Sequence, residues 1–123
     1  MISRPLVSVV DDDESVRESM PDLLREFGFS AEAFSSAEAF LASDCVDRTR
    51  CLLLDVGLPG MTGPDLQQEL RRRQQGIPII FITADRNMIF RQRLIEQGAG
   101  ECLFKPFSDT TLLEVVNSAL RPK

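Results

Sequence analysis

Short apolar runs alternate with longer amphipathic stretches five times along the chain. Residues 5–10, Phe29 to Phe34, Cys51 to Leu54, Ile77 to Ile82 and Glu101 to Phe104 read as strands. The runs Val7-Ser8-Val9-Val10 and Cys51-Leu52-Leu53-Leu54 lack the polar alternation of a half-exposed strand, and so fit a parallel sheet buried on both faces. Between the strands the period changes to that of a helix. Val16, Met20, Leu23, Leu24 and Phe27 form one apolar stripe, with Asp13 as N-cap and Gly28 just past the end. Pro21 falls inside that helix on the face of Arg17 and Arg25, which predicts a kink on the solvent side. Ser35-Ser36-Ala37-Glu38 has capping-box spacing and opens a short helix through Leu41. A third helix starts near Thr62-Gly63-Pro64, where Pro64 suits the first turn. A fourth spans 85–97, closed by Gly98, and a last one begins at Ser108 or Asp109 with Leu112, Leu113, Val116 and Leu120 inward. Five strand–helix units in 123 residues predict an α/β fold in one domain, a doubly wound five-stranded parallel sheet with helices on both faces.

Composition narrows the chemistry. A formal net charge of −5 argues against direct nucleic-acid binding by this segment. The basic run Arg71-Arg72-Arg73 lies on a helix rich in Gln and Glu and reads as a solvated face. Histidine is absent, which excludes Ser-His-Asp and Cys-His nucleophiles and His-ligated zinc. Cys45, Cys51 and Cys102 have no metal-ligand or redox spacing and read as reduced, buried thiols of a cytoplasmic protein. Neither a signal-peptide core nor a stretch of membrane-spanning length is present, so no membrane partner is expected.

What stands out is where the polar residues sit. In the strand order 2-1-3-4-5, ligands bind outside the carboxyl ends of the central strands. The first strand ends in Asp11 and Asp12, the third in Asp55 and the fourth in Thr83; the fifth runs into Lys105. Lysine occurs only at 105 and 123, against twelve arginines, so its place at a strand exit is unlike a random surface charge. Three carboxylates converging within about 6 Å repel by roughly 3 kcal/mol per pair at an effective dielectric near 20. A raised pKa or a bound divalent cation relieves that repulsion. Oxygen ligands alone favour Mg²⁺. With Lys105 and the Thr83 hydroxyl beside it, the cluster resembles a site for phosphoryl transfer onto a carboxylate.

The segments VVDDDESVRESM, SSAEAFL, LLLDVGLPGMTGPDLQ, FITA and FKPF, in this order, resemble the receiver (CheY-like) domain of two-component response regulators, most closely the FixJ-like branch. The resemblance covers essentially the whole chain. It implies the flavodoxin/CheY-like (βα)5 fold, with Asp55 as phosphoacceptor from a sensor histidine kinase. It further implies Mg²⁺ held by Asp11, Asp12, Asp55 and the Gly57 carbonyl, with Thr83 and Lys105 on the phosphoryl oxygens and a cis Lys105-Pro106 peptide. Asp13 is better read as a helix cap than as a further ligand. On this reading the chain is a switch that turns over its own aspartyl phosphate and is not a metabolic enzyme. It either stands alone or forms the front part of a longer regulator.

Some positions depart from the family pattern. Receivers carry Tyr or Phe three residues before the lysine, where this chain has Cys102. A repacked strand that switches through backbone shifts is one reading. A degenerate receiver, serving as a phosphorylation-independent scaffold, is the alternative. Retention of the five chemical residues counts against the scaffold. A metal-dependent phosphohydrolase on a similar sheet needs an acid two residues after its nucleophile, and Gly57 supplies none. Gly57 and Asp85 flank the approach of water to a phosphoryl group on Asp55 and are expected to tune its lifetime. On the predicted fourth helix Met88, Ile89, Phe90, Leu94 and Ile95 are interrupted by arginines. Phe90 and Leu94, four apart, read as core-facing, which leaves Met88 or Ile89 as an exposed apolar spot, with ordinary core packing as the alternative reading. By resemblance, that helix, the fifth strand and the last helix form a surface for a homodimer or effector contact.

Overall fold

The computed structural model describes residues 4–84, 92, 93, 96 and 101–121. Five parallel strands, β1 (Leu6–Val10), β2 (Ser30–Phe34), β3 (Thr49–Asp55), β4 (Ile79–Thr83) and β5 (Glu101–Phe104), pair in the order β2-β1-β3-β4-β5. Helices α1 (Glu14–Glu26), α2 (Ala37–Leu41) and α3 (Gly63–Arg72) and a C-terminal helix (Asp109–Leu120) pack around the sheet.

The continuous apolar runs are explained by two cores. On one face Val10, Leu52, Leu54 and Phe81 meet Phe40 of α2 and Leu66 and Leu70 of α3. On the other face Val7, Val9, Cys51, Leu53, Ile80 and Ile82 meet Met20 and Leu24 of α1 and Leu112 and Val116 of the C-terminal helix. Adjacent residues of β3 thus serve opposite cores, which follows from the two-residue period of a strand. Each fully buried leucine contributes about 1.5–3 kcal/mol relative to exposure. All three cysteines are free and buried, and burial pushes the Cys51 thiol up to about 12.

Helix starts match their caps. Asp13 accepts from the Ser15 amide at 3.0 Å and from its hydroxyl at 2.8 Å. Thr62 and Asp65 form a reciprocal capping box, and Ser108 accepts from the Thr111 amide at 3.1 Å. Gly28 follows α1 with φ +96°, a conformation that suits glycine. Arg72 and Arg73 of the basic run are exposed and pair with Glu69 of their own helix.

Several expectations are corrected. Pro21 is buried, not solvent-facing, and α1 continues through it. Arg17 and Arg25 donate to the backbone carbonyls of Asp11 and Ala31, so this face is folded onto the ends and edges of strands. Phe27 leaves the inward stripe: it is the C-cap of α1 and 36% exposed. Ser36, not Ser35, caps α2, accepting from the Ala39 amide at 3.0 Å, while Glu38 reaches out of its helix. β3 begins at Thr49, because the Thr49 hydroxyl is satisfied by the Ser8 hydroxyl at 2.7 Å and can be buried. β4 begins at Ile79, after Pro78, which has no amide to donate. Within the predicted helix 85–97, Gln92, Arg93 and Glu96 are helical and exposed; its other residues, including the apolar spot, lie outside the described residues.

Candidate functional site

β1 and β3 are neighbours, so their carboxyl ends deliver Asp11, Asp12 and Asp55 to one place. Carboxylate oxygens of the three lie within 4.8 Å of one another. Asp11 is wholly buried and Asp12 exposed, with Asp55 between, which gives the cluster a deep wall and an open mouth. The Asp13 amide donates to Asp11 Oδ1 at 2.9 Å, and the Lys105 ammonium meets Asp11 Oδ2 at 3.1 Å. Both oxygens of the buried acid are therefore occupied.

Lys105 arrives from β5, two strands away from β3. Its amide donates to the Thr83 carbonyl at 2.9 Å, which extends the β4–β5 pairing by one step, and the peptide to Pro106 is cis. Thr83 is buried at the end of β4, one residue past Ile82, the register partner of Asp55. The Gly57 amide donates to Asp55 Oδ1 at 3.2 Å. Gly63 lets α3 start against this strand end: a Cβ there would lie 2.7 Å from the Asp55 carbonyl oxygen.

Burial raises the Asp55 carboxyl to about 6, against the lowering effect of the Gly57 amide. Asp11 and then Asp12 raise it further, and Lys105 lowers it. An acid held up in this way is relieved by a cation. Three carboxylates with no nitrogen or sulfur donor among them match the oxygen preference of Mg²⁺. Asp13 stands apart from that group, its carboxyl lowered by the hydrogen bonds of the Ser15 hydroxyl and amide, as befits a helix cap.

Asp11, Asp12, Asp55 and Lys105 are thus brought together, with Thr83 and Gly57 on the same sheet edge. Cys102 is buried in β5 in register with Phe81, inside the core beneath α3. Asp85 lies outside the described residues. Two contributors escaped the sequence reading. The Asp13 amide on Asp11 is a two-residue turn signalled by the acidic run itself. The Arg17 guanidinium donates to the Asp11 carbonyl at 3.0 Å, and nothing in its spacing announced that.

Fold and site together define a class: a doubly wound α/β domain with carboxylates and a lysine at the carboxyl edge of its sheet. The chain belongs to the response regulator receiver domain family, which matches residues 7–117. It is 44% identical over 117 residues to Nodulation protein W of Bradyrhizobium diazoefficiens, covering 95% of this chain and 52% of that protein. The response regulator StyR superposes with a TM-score of 0.87 at 43% identity, over 96% of this chain and 60% of StyR. FixJ-N superposes at 0.85 with 33% identity, over 97% and 95% respectively. The chain spans about half the length of the curated relatives it matches.

Proposed function

We propose that residues 1–123 act as one receiver unit in which Asp55 accepts a phosphoryl group from the phosphohistidine of a sensor histidine kinase. The observation that carries this reading is the half-buried Asp55 carboxylate within 4.8 Å of two other acids, one of them paired to Lys105. Asp11, Asp12, Asp55 and the Gly57 carbonyl would hold Mg²⁺. When bound, the ion neutralises the acids and the charge that develops on the transferring oxygens. An Asp55 carboxylate oxygen attacks phosphorus, the P–N bond to the kinase imidazole breaks, and its electron pair leaves with the imidazole. Lys105 and Thr83 orient the phosphoryl oxygens, positioning being most of what such a transfer requires. Water later cleaves the acyl phosphate, which releases inorganic phosphate and restores the Asp55 carboxylate, so the chain is reset as a switch.

The reading is tested with a small-molecule phosphodonor and Mg²⁺, followed by intact mass and peptide mapping. One phosphoryl group on Asp55, lost in Asp55→Asn and on chelation, is the expected result. Labelling that survives Asp55→Asn would overturn the assignment.

A further inference from the structure

The loop between β3 and α3, residues 56–62, leaves directly from the acceptor strand. Its start is tied to the sheet, the Val56 amide donating to the Ile82 carbonyl at 3.1 Å, and its end is tied to its start, the Gly63 amide donating to the Val56 carbonyl at 3.3 Å. Leu58 is buried in the α2–α3 core. Its tip is tied to a different element. The Met61 amide donates to Glu38 Oε2 of α2 at 3.2 Å, across 23 residues of sequence. Gly60, at φ +73°, lies directly beneath the same carboxylate, and a Cβ there would stand 2.7 Å from Glu38 Oε2. Ser36 caps α2, so Glu38 need not turn back on its own helix. Its position in the first turn also suits an anion.

We infer that Glu38 is a positioning residue for the Asp55 site, its carboxylate latching the loop and thereby fixing the Gly57 peptide beside Asp55. The inference rests on the proposed roles of Asp55 and Gly57. Gly57 sits between the sheet anchor at Val56 and the latch at Met61. With the tip held, its amide stays on Asp55 Oδ1 and its carbonyl is held ready for the cation. With the tip released, the peptide can rotate about its own flexible residue. The latch works through the loop and touches none of the reacting atoms.

The test compares wild type, Glu38→Ala, Glu38→Gln and Gly60→Ala in the intact chain. Amide exchange at Met61 and Gly57 is followed without metal, and Mg²⁺ affinity by titration. Glu38→Ala should speed exchange at both amides and weaken Mg²⁺ about tenfold, the lower end of what loss of an orienting partner causes. Glu38→Gln keeps an oxygen for the Met61 amide and should stay near wild type. Gly60→Ala sets a methyl 2.7 Å from the unshifted Glu38 Oε2 and strains a backbone at φ +73°, so the carboxylate must swing aside or the tip must move. The variant should loosen Met61 and Gly57 as Glu38→Ala does. Faster exchange confined to Met61, with Gly57 and Mg²⁺ affinity unchanged, would reduce Glu38 to a local stabiliser and overturn the inference. If wild type itself binds no Mg²⁺, the proposed function fails, and exchange at Gly57 alone decides the latch.

Discussion

Asp55 is half-buried, and burial, ahead of its acidic neighbours, holds its carboxyl near 6 when no metal is bound. In the unfolded chain the same group ionises near its ordinary 3.8. A folded pKa above the unfolded one favours the fold below 3.8, and that contribution is lost as pH rises through about 6. Metal-free wild type should therefore lose stability relative to Asp55→Asn across this window in paired denaturant titrations. Parallel curves for the two proteins would refute it. Added Mg²⁺ at a hundredfold excess over its Kd should restore about 2.7 kcal/mol at neutral pH. Lys105 poses the complementary case. Asp11 is fully buried, and Lys105→Met strips one of its oxygens of its ammonium partner. Breaking a buried pair costs about 3–5 kcal/mol, and the lower figure applies because Lys105 itself keeps 30% of its side chain in contact with solvent. The same variant should bind Mg²⁺ more tightly, since a competing positive charge has gone. Calorimetry on the variant reads both effects.

At the scale of elements, α3 and β3 meet so closely that a methyl group decides their spacing. In Gly63→Ala the new Cβ would stand 2.7 Å from the Asp55 carbonyl oxygen and 3.0 Å from the Phe81 ring. Backbone cannot yield there as a side-chain tip can, so the helix start must shift, at about 1–3 kcal/mol for overpacking. A drop in the unfolding midpoint together with slower phosphorylation is expected; full activity would show that α3 moves without moving Asp55. Legibility followed the same physics. β1 and β3 were plain in the sequence because burial on both faces leaves runs that are almost wholly apolar, Ser8 excepted in the first and residues 51–54 continuous in the second, and the acids at their ends stood out against those runs. Thr49 was missed as a strand residue because its hydroxyl is satisfied only in the fold, donating to the Cys45 carbonyl at 2.7 Å and meeting the Ser8 hydroxyl forty-one positions away. Pro21 misled for a related reason: the arginines on its face bond to the Asp11 carbonyl just past β1 and to the Ala31 carbonyl of β2, a pairing no helical periodicity encodes. Glu38 has the spacing of a capping residue, and only the folded loop shows where its carboxylate goes.

For the whole molecule, β3 is clamped from both sides, and the charge of the chain governs what approaches it. Leu53 and Leu54 are both fully buried but belong to opposite cores. Each replaced by alanine should cost about 2–5 kcal/mol in urea unfolding. A much smaller loss for either would mean that one helical layer closes over the gap. The long-range field has a separate consequence. Lys105 lies 3.1 Å from Asp11, so well beyond that separation the pair is neutral and an incoming anion meets the net charge of the chain, −5 before the cation binds and still negative with it. The Debye length is about 30 Å at 0.01 M salt and about 10 Å at 0.1 M, so screening sets in on the scale of the domain itself. Two opposite trends follow over that range. Mg²⁺ affinity should fall with salt, because the acids attract the cation less. With Mg²⁺ kept saturating, the second-order rate with a small anionic phosphodonor should rise, because repulsion of the donor weakens. Stopped-flow rates at fixed Mg²⁺ occupancy separate the two. A rate that falls with salt under saturation would mean that the loaded pocket, and not the acidic surface, steers the donor.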